Sequence, residues 1–169
     1  MRNIWTKYLK LRYISLQPPT QVFIVKYRKA VEISISERYY IMINKIVIHF
    51  TDGKIMKGTT ADFFPNKDIF HISNTDNNKI YEINLNSLKA IFFVKSFEGD
   101  SLYQEKLNIE RVGLGKRIRV RFKDDETLVG YTQGYSLDRV GFIFFPADPD
   151  SNNEKAFIIN AATDDVHFI

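Results

Sequence analysis

The 169-residue chain has no cysteine, a single tryptophan, five prolines and eight glycines. Without thiols it can form no disulfide, no thiolate metal site and no cysteine nucleophile, which fits a reducing cytoplasm. Proline and glycine are too sparse for a disordered or low-complexity chain, and 14 Phe and 9 Tyr within a 44% hydrophobic composition supply real cores. No apolar run approaches the roughly 18 residues that span a bilayer. Lys10 and Arg12 interrupt the N-terminal segment, so neither an integral membrane segment nor a signal peptide is expected.

Excess charge is confined to one end. Residues 1–44 carry eight Lys/Arg against two Glu, 45–100 seven against seven, and 101–169 nine against eleven, so the formal +4 arises in the first segment. That is a mild pull toward an anionic partner, well short of a dedicated nucleic-acid binder.

What the chain does have is a repeated strand–turn–strand pattern. Lys116 to Gly130 alternates Ile118, Val120 and Phe122 with Arg117, Arg119 and Arg121, turns at Asp124-Asp125, and ends its return strand in glycine. Lys45 to Gly58 does the same with Ile46, Ile48 and Phe50, the turn Asp52-Gly53 and Gly58. Alternation of period two marks half-buried strands, and Asp-Gly is a strong hairpin signal. Further strands are expected at Ile69–Ile72, Ile80–Ile83 and Leu88–Val94, then at Phe142–Phe145, Phe157–Ile159 and Val166–Ile169. Tyr135 takes the place of Phe63. Residues 97–115 read as a linker with room for a brief helical turn.

Ahead of the repeats, residues 1–16 fit a strand or a basic amphipathic helix equally well. Val22–Val25 and the alternating Val31, Ile33 and Ile35 predict strands that extend a neighbouring sheet. The divisions are thus a basic N-terminal arm with supporting strands (1–43), a first module (44–96), a linker (97–115) and a second module (116–169).

These residues and motifs carry a resemblance. The alternating strand, Asp-Gly turn and glycine-ended return strand resemble the opening of SH3-like and Sm-like small barrels. The tandem segments Leu88–Val94, Phe97–Asp100 and Phe145–Asn153 resemble an uncharacterised family of bacterial proteins. The fold expected is all-β: two tandem small, five-stranded, strongly bent SH3-like/Sm-like barrels, with an N-terminal extension adding one or two strands. Sm-like proteins commonly bind single-stranded RNA and form rings, but the loops Asn74–Asn78 and Asn160–Asp165 lack an evident basic-glycine signature. The arginine-rich motif of PilZ-type barrels is also missing.

No catalytic pattern emerges, and neither an enzyme nor a cofactor is expected. His49, His71 and His167 lie in strands and read as structural. Asp148, Asp150, Asn152 and Asn153 space oxygens like a calcium loop, but the central glycine and the glutamate at the twelfth position are missing, so an Asx-capped turn at Pro149 is the better account. The positive feature is basic. Arg117, Arg119 and Arg121 share one strand face over about 13 Å, with Lys116, Lys123 and Arg139 nearby and Tyr131 or Tyr135 as stacking groups. The dull alternative is a solvated face neutralised by Asp124, Asp125 and Glu126. Two functions follow. One is a non-enzymatic interaction module binding a protein partner through Phe63, Phe64, Phe97 or unpaired strand edges, with homo-oligomers as one form of it. The alternative is single-stranded RNA or DNA binding through the arginine stripe.

Overall fold

A computed structural model describes residues 43–100 and 102–169. The arm and the strands expected within residues 1–42 lie outside the described residues. The rest falls in one compact unit, Tyr40–Ile169.

Among the described residues, ten strands carry the fold. The first repeat supplies β1 (Asn44–Phe50), β2 (Ile55–Thr60), β3 (Ile69–Asn74), β4 (Ile80–Asn84) and β5 (Leu88–Val94). The second supplies β6 (Lys116–Phe122), β7 (Thr127–Thr132), β8 (Gly141–Pro146), β9 (Asn153–Ile159) and β10 (Thr163–Phe168). A single 3-10 turn precedes the last strand of each repeat, Leu85–Ser87 and Asn160–Ala162. Among its described residues the linker contains neither helix nor strand, only isolated turns such as the one closed by the Tyr103 N–H on the Asp100 carbonyl at 3.2 Å.

Every pairing is antiparallel, and the order is β10-β6-β7-β8-β9-β5-β1-β2-β3-β4. Each repeat therefore uses one order: its fifth strand, then first, second, third and fourth. The two halves are not separate bodies on a linker. They merge into one open sheet where β9 pairs with β5, Ile91 opposite Phe157 and Phe92 opposite Ala156. The cause lies in β5 itself: all seven residues of Leu88–Val94 are buried, so both faces and both edges need partners. One hydrophobic core accordingly runs through both repeats, from Ile46, Ile48, Phe70 and Ile72 to Ile118, Val120, Phe142 and Phe144.

Side-chain contacts repeat as faithfully as the backbone. Phe63 packs edge-to-face on Phe70 at 5.4 Å and on Phe93 at 5.6 Å. Tyr135 makes the equivalent contacts, with Phe142 at 5.0 Å and Phe168 at 6.4 Å. The hairpin turns correspond too. Asp125 stands where Gly53 does and takes a left-handed φ of 69°, against 85° at Gly53, a conformation that aspartate tolerates better than most residues.

Candidate interaction surface

The outer face of β6 has the predicted alternation: Ile118, Val120 and Phe122 are buried, while Arg119 and Arg121 are exposed and Arg117 is half-buried. Two of the three guanidiniums are engaged. Arg117 Nη2 donates to the Leu107 carbonyl at 2.7 Å, and Arg121 forms an ion pair with Asp164. Arg119 lies between Val129 and His167 on the neighbouring strands, and the His167 ring is itself 2.7 Å from Asp165. Lys123 is exposed beyond the strand end, and Lys116 sits over the Phe168 ring at 5.4 Å. Arg139 is not part of this face. It belongs to the β7–β8 loop and lines an open cleft of about 830 Å³ in which Asp68 and Asp138 offset Arg139 and Lys155.

The acidic turn does not neutralise the stripe as expected. Asp124 and Glu126 instead bind Lys89 of β5, which is only 8% exposed and lies 2.5 Å from Asp124 Oδ2 and 4.5 Å from the Phe122 ring centroid. Burial opposes the Lys89 charge, but hydrogen bonds to both carboxylates outweigh it and raise the lysine pKa. The Lys89 bond conversely lowers that of Asp124. This ion triad links the two repeats a second time, next to the β5–β9 seam.

Tyr131 is unavailable for stacking, contrary to expectation. It is 5% exposed, and its hydroxyl donates to the Ile109 carbonyl and accepts from the Arg111 N–H, both at 3.0 Å. It belongs to a small second core with Val129 and Ala147, covered by Leu114. Residues 102–115 thus form a strap over the outer face of the second repeat. Arg111 Nη1 fixes the strap to the Pro146 carbonyl at 2.8 Å, and Glu105 accepts from the Ser151 hydroxyl at 2.6 Å.

Asp148 is the strap's main anchor. Its carboxylate, 1% exposed, accepts from the Tyr103 hydroxyl at 2.6 Å and the Lys106 N–H at 2.8 Å, and from the Asp150 N–H at 2.9 Å. The last bond is the Asx turn expected at Pro149. The Tyr103 bond, with help from the Lys106 amide, holds Asp148 down to about 2, and the same bond pushes Tyr103 up to about 12. A carboxylate with a depressed pKa contributes its stabilisation above its ordinary value of 3.8 and loses it as pH falls through about 2. For Tyr103 the contribution is present below its ordinary 10.0 and is lost as pH rises through about 12. Exchange protection of the Lys106 amide, followed by NMR, is therefore expected to hold at neutral pH and to fall between pH 3.8 and about 2. Tyr103→Phe is expected to move that midpoint up toward 3.8, and an unmoved midpoint would show that the phenol does not hold the carboxylate.

Of the three phenylalanines expected to meet a protein partner, Phe64 alone is well exposed, at 49%. Phe63 and Phe97 pack against the main core, Phe63 touching the Phe157 ring at 5.3 Å. Apolar loop residues read as contact groups in the sequence are more often packing groups, and here two of the three are. Tyr135 is half-buried in its equivalent niche.

The sheet ends are more open. Among the described residues β4 pairs only with β3, and β10 only with β6. Both ends expose apolar side chains, Ile80 at 69% on β4 and Phe168 at 51% on β10. No helix among the described residues is long and apolar enough to cross a membrane.

No curated protein and no solved structure shows a significant match to the chain. A family model does match it over residues 42–169, the whole of the duplicated sheet. By that match, the chain belongs to DUF6982, a family of unknown function.

Proposed function

We propose that the protein is a non-enzymatic interaction module that binds a protein partner by adding a strand to an open end of its sheet. One observation carries this: a ten-stranded sheet ends in two strands, β4 and β10, each with one partner among the described residues and each with a large exposed apolar side chain. Unpaired strand edges recruit other chains unless charge, proline or a covering segment blocks them.

We also take each repeat to be a small, strongly bent barrel of the SH3-like or Sm-like kind, working in the cytoplasm. In support, both repeats share one strand order and a 3-10 turn before the fifth strand. Each also places a glycine on its second strand, where the third strand's backbone crosses too closely for any Cβ.

Single-stranded nucleic acid remains the second reading because Arg119 and Lys123 are exposed beside Lys116. Arg117 and Arg121 are already engaged and Tyr131 is covered, which leaves that surface short of both cations and stacking groups.

The test compares full-length protein with Ile80→Lys and Phe168→Lys. Partner cross-links mapped by mass spectrometry are expected at residues 80–84 or 163–168, and at least one lysine variant is expected to lose them. Cross-links elsewhere, insensitive to both variants, would refute the strand-edge reading. Fluorescent single-stranded RNA and DNA are expected not to bind even at low salt. Salt-sensitive binding abolished by Arg119→Ala would put the nucleic-acid reading in its place.

A further inference from the structure

We infer that the cleft between the two repeats binds a short zwitterionic peptide. The peptide's apolar side chains lie on the outward face of β8 and β9, its carboxylate meets Arg139 and its ammonium meets Asp68. Neither end strand of the sheet, β4 or β10, lines this cleft.

The cleft exists because the halves are fused. One wall is the β2–β3 connection of the first repeat, with Pro65, Asn66 and Asp68, and the other is the equivalent β7–β8 connection of the second, from Gln133 to Val140. Pairing of β9 with β5 brings the first wall onto the second repeat, where Phe63 rests on the Phe157 ring at 5.3 Å. Both walls are fixed from behind. The Asp68 carbonyl accepts from the Leu85 N–H at 2.8 Å. Asn160 Nδ2 donates to the Ser136 and Arg139 carbonyls at 2.9 and 2.8 Å, and the Asn160 N–H donates to the Val140 carbonyl at 2.9 Å. A cleft of about 830 Å³ that is already formed takes a small ligand at little ordering cost.

The floor departs from what the scaffold requires. Ile143 and Phe145 lie half-buried on the outward face of β8, with Phe157 opposite Ile143. Gly58 pairs with Asn74 and Gly130 with Pro146, so the equivalents of Ile143 and Phe145 in the first repeat are His71 and Ser73. Both are exposed, and Glu82 stands opposite His71. The same sheet face is thus polar in the first repeat and apolar where it floors the cleft. Phe63 covers Phe157, but Ile143 and Phe145 stay partly open, and a ligand's side chains remove that area from water.

The charges select the ligand. Arg139, Lys155, Asp68 and Asp138 line one cleft, yet among the described residues no two of them form an ion pair. Elsewhere on the surface opposite charges do pair, as Lys54 with Asp52, Lys106 with Asp150 and Arg121 with Asp164. Among the described residues Arg139 and Asp68 enter hydrogen bonds only through their backbone groups, and Lys155 Nζ meets the Phe93 ring at 4.7 Å. An anionic ligand meets two carboxylates here, and a cationic one meets two cations. A zwitterion satisfies both signs with charge-assisted hydrogen bonds, and a peptide adds the apolar side chains that the floor accepts.

The test titrates full-length protein with tripeptide mixtures randomised at every position and free at both termini. Amide NMR signals of residues 66–68 and 133–141 are expected to shift saturably. N-acetylation and C-amidation of the mixtures are each expected to weaken binding about tenfold or more, the loss of one hydrogen bond between charged groups. Asp68→Asn is expected to weaken the free mixture by the same factor and to leave the acetylated one unchanged. Arg139→Ala is expected to do likewise with the amidated one. Both side chains are exposed, so both variants are expected to keep the fold. Ile80→Lys is expected to change nothing, which separates this site from the strand edges. No saturable shift at the cleft with the free mixtures, or equal binding of the free, acetylated and amidated forms, would overturn the inference. Acetylated peptides binding as tightly as free ones, insensitive to Asp68→Asn, would overturn it too and assign the cleft to C-termini of other proteins. Each of these results leaves the strand-edge reading untouched.

Discussion

Gly130→Ala and Gly58→Ala are each expected to cost on the order of 3 kcal/mol or more, a loss toward the upper end of overpacking substitutions. A Cβ on Gly130 would lie 2.1 Å from the Phe145 carbonyl oxygen and 2.5 Å from the Phe144 ring. On Gly58 it would lie 2.3 Å from the Ser73 carbonyl oxygen and 2.6 Å from Ile72 Cγ1. In both cases the nearest atom is backbone of the neighbouring strand, which cannot swing aside as a side chain could. The two sites are equivalents: Gly58 pairs with Asn74 of β3, and Gly130 with Pro146 of β8. For a chain of this size the expected fall in Tm is about 6–12 °C for either variant. Thermal melts by circular dichroism decide it. A tolerated alanine at one site and not the other would break the equivalence of the two repeats.

Phe157→Ala is expected to cost about 3–5 kcal/mol, the usual range for a buried phenylalanine. The side chain is 1% exposed, sits opposite Ile91 across the seam, and touches Phe63 of the first repeat. Although it belongs to the second repeat in sequence, its loss is expected to loosen the first. Wild-type protein should melt in a single transition, because one core serves both halves. In the variant, amide exchange is expected to quicken in β5 as well as in β9. Faster exchange confined to residues 141–159 would mean that the repeats are independent.

Much of the fold was legible in the sequence because strands advertise themselves by period. Ile46, Ile48 and Ile118, Val120, Phe122 alternate cleanly, and the Asp-Gly turn with its Asp-Asp counterpart set the hairpins. The merging of the halves was less visible, yet it left a trace. Leu88-Lys89-Ala90-Ile91-Phe92-Phe93-Val94 shows no alternation, the pattern of a strand covered on both faces, and Phe157-Ile158-Ile159 shares it. Read for burial rather than for strand identity alone, the two runs would have suggested each other as partners. β9 begins at Asn153, four residues ahead of the strand expected at Phe157–Ile159, because pairing with β5 overrides the polar composition of Asn153-Glu154-Lys155.

The candidate surface was less legible, for a different reason. Period placed the arginines on the outer face of β6 correctly, but it cannot say what covers that face. The strap does, through contacts distant in sequence such as Tyr103 to Asp148 and Arg117 to Leu107. Neither Tyr131's burial beneath Leu114 nor the capture of Asp124 and Glu126 by Lys89 has a local signature. Which strands end the sheet among the described residues is a property of the whole strand order, which is why β4 and β10 emerge as its ends only once all ten are placed.

Hydrogen exchange across the β5–β9 seam tests the central claim, that a duplicated module is fused into one sheet, most directly. Amides of residues 88–94 and 153–159 are expected to be among the slowest in the protein and to exchange together, at the free energy of global unfolding. Fast exchange of residues 88–94 while 153–159 stay protected, or the reverse, would contradict it.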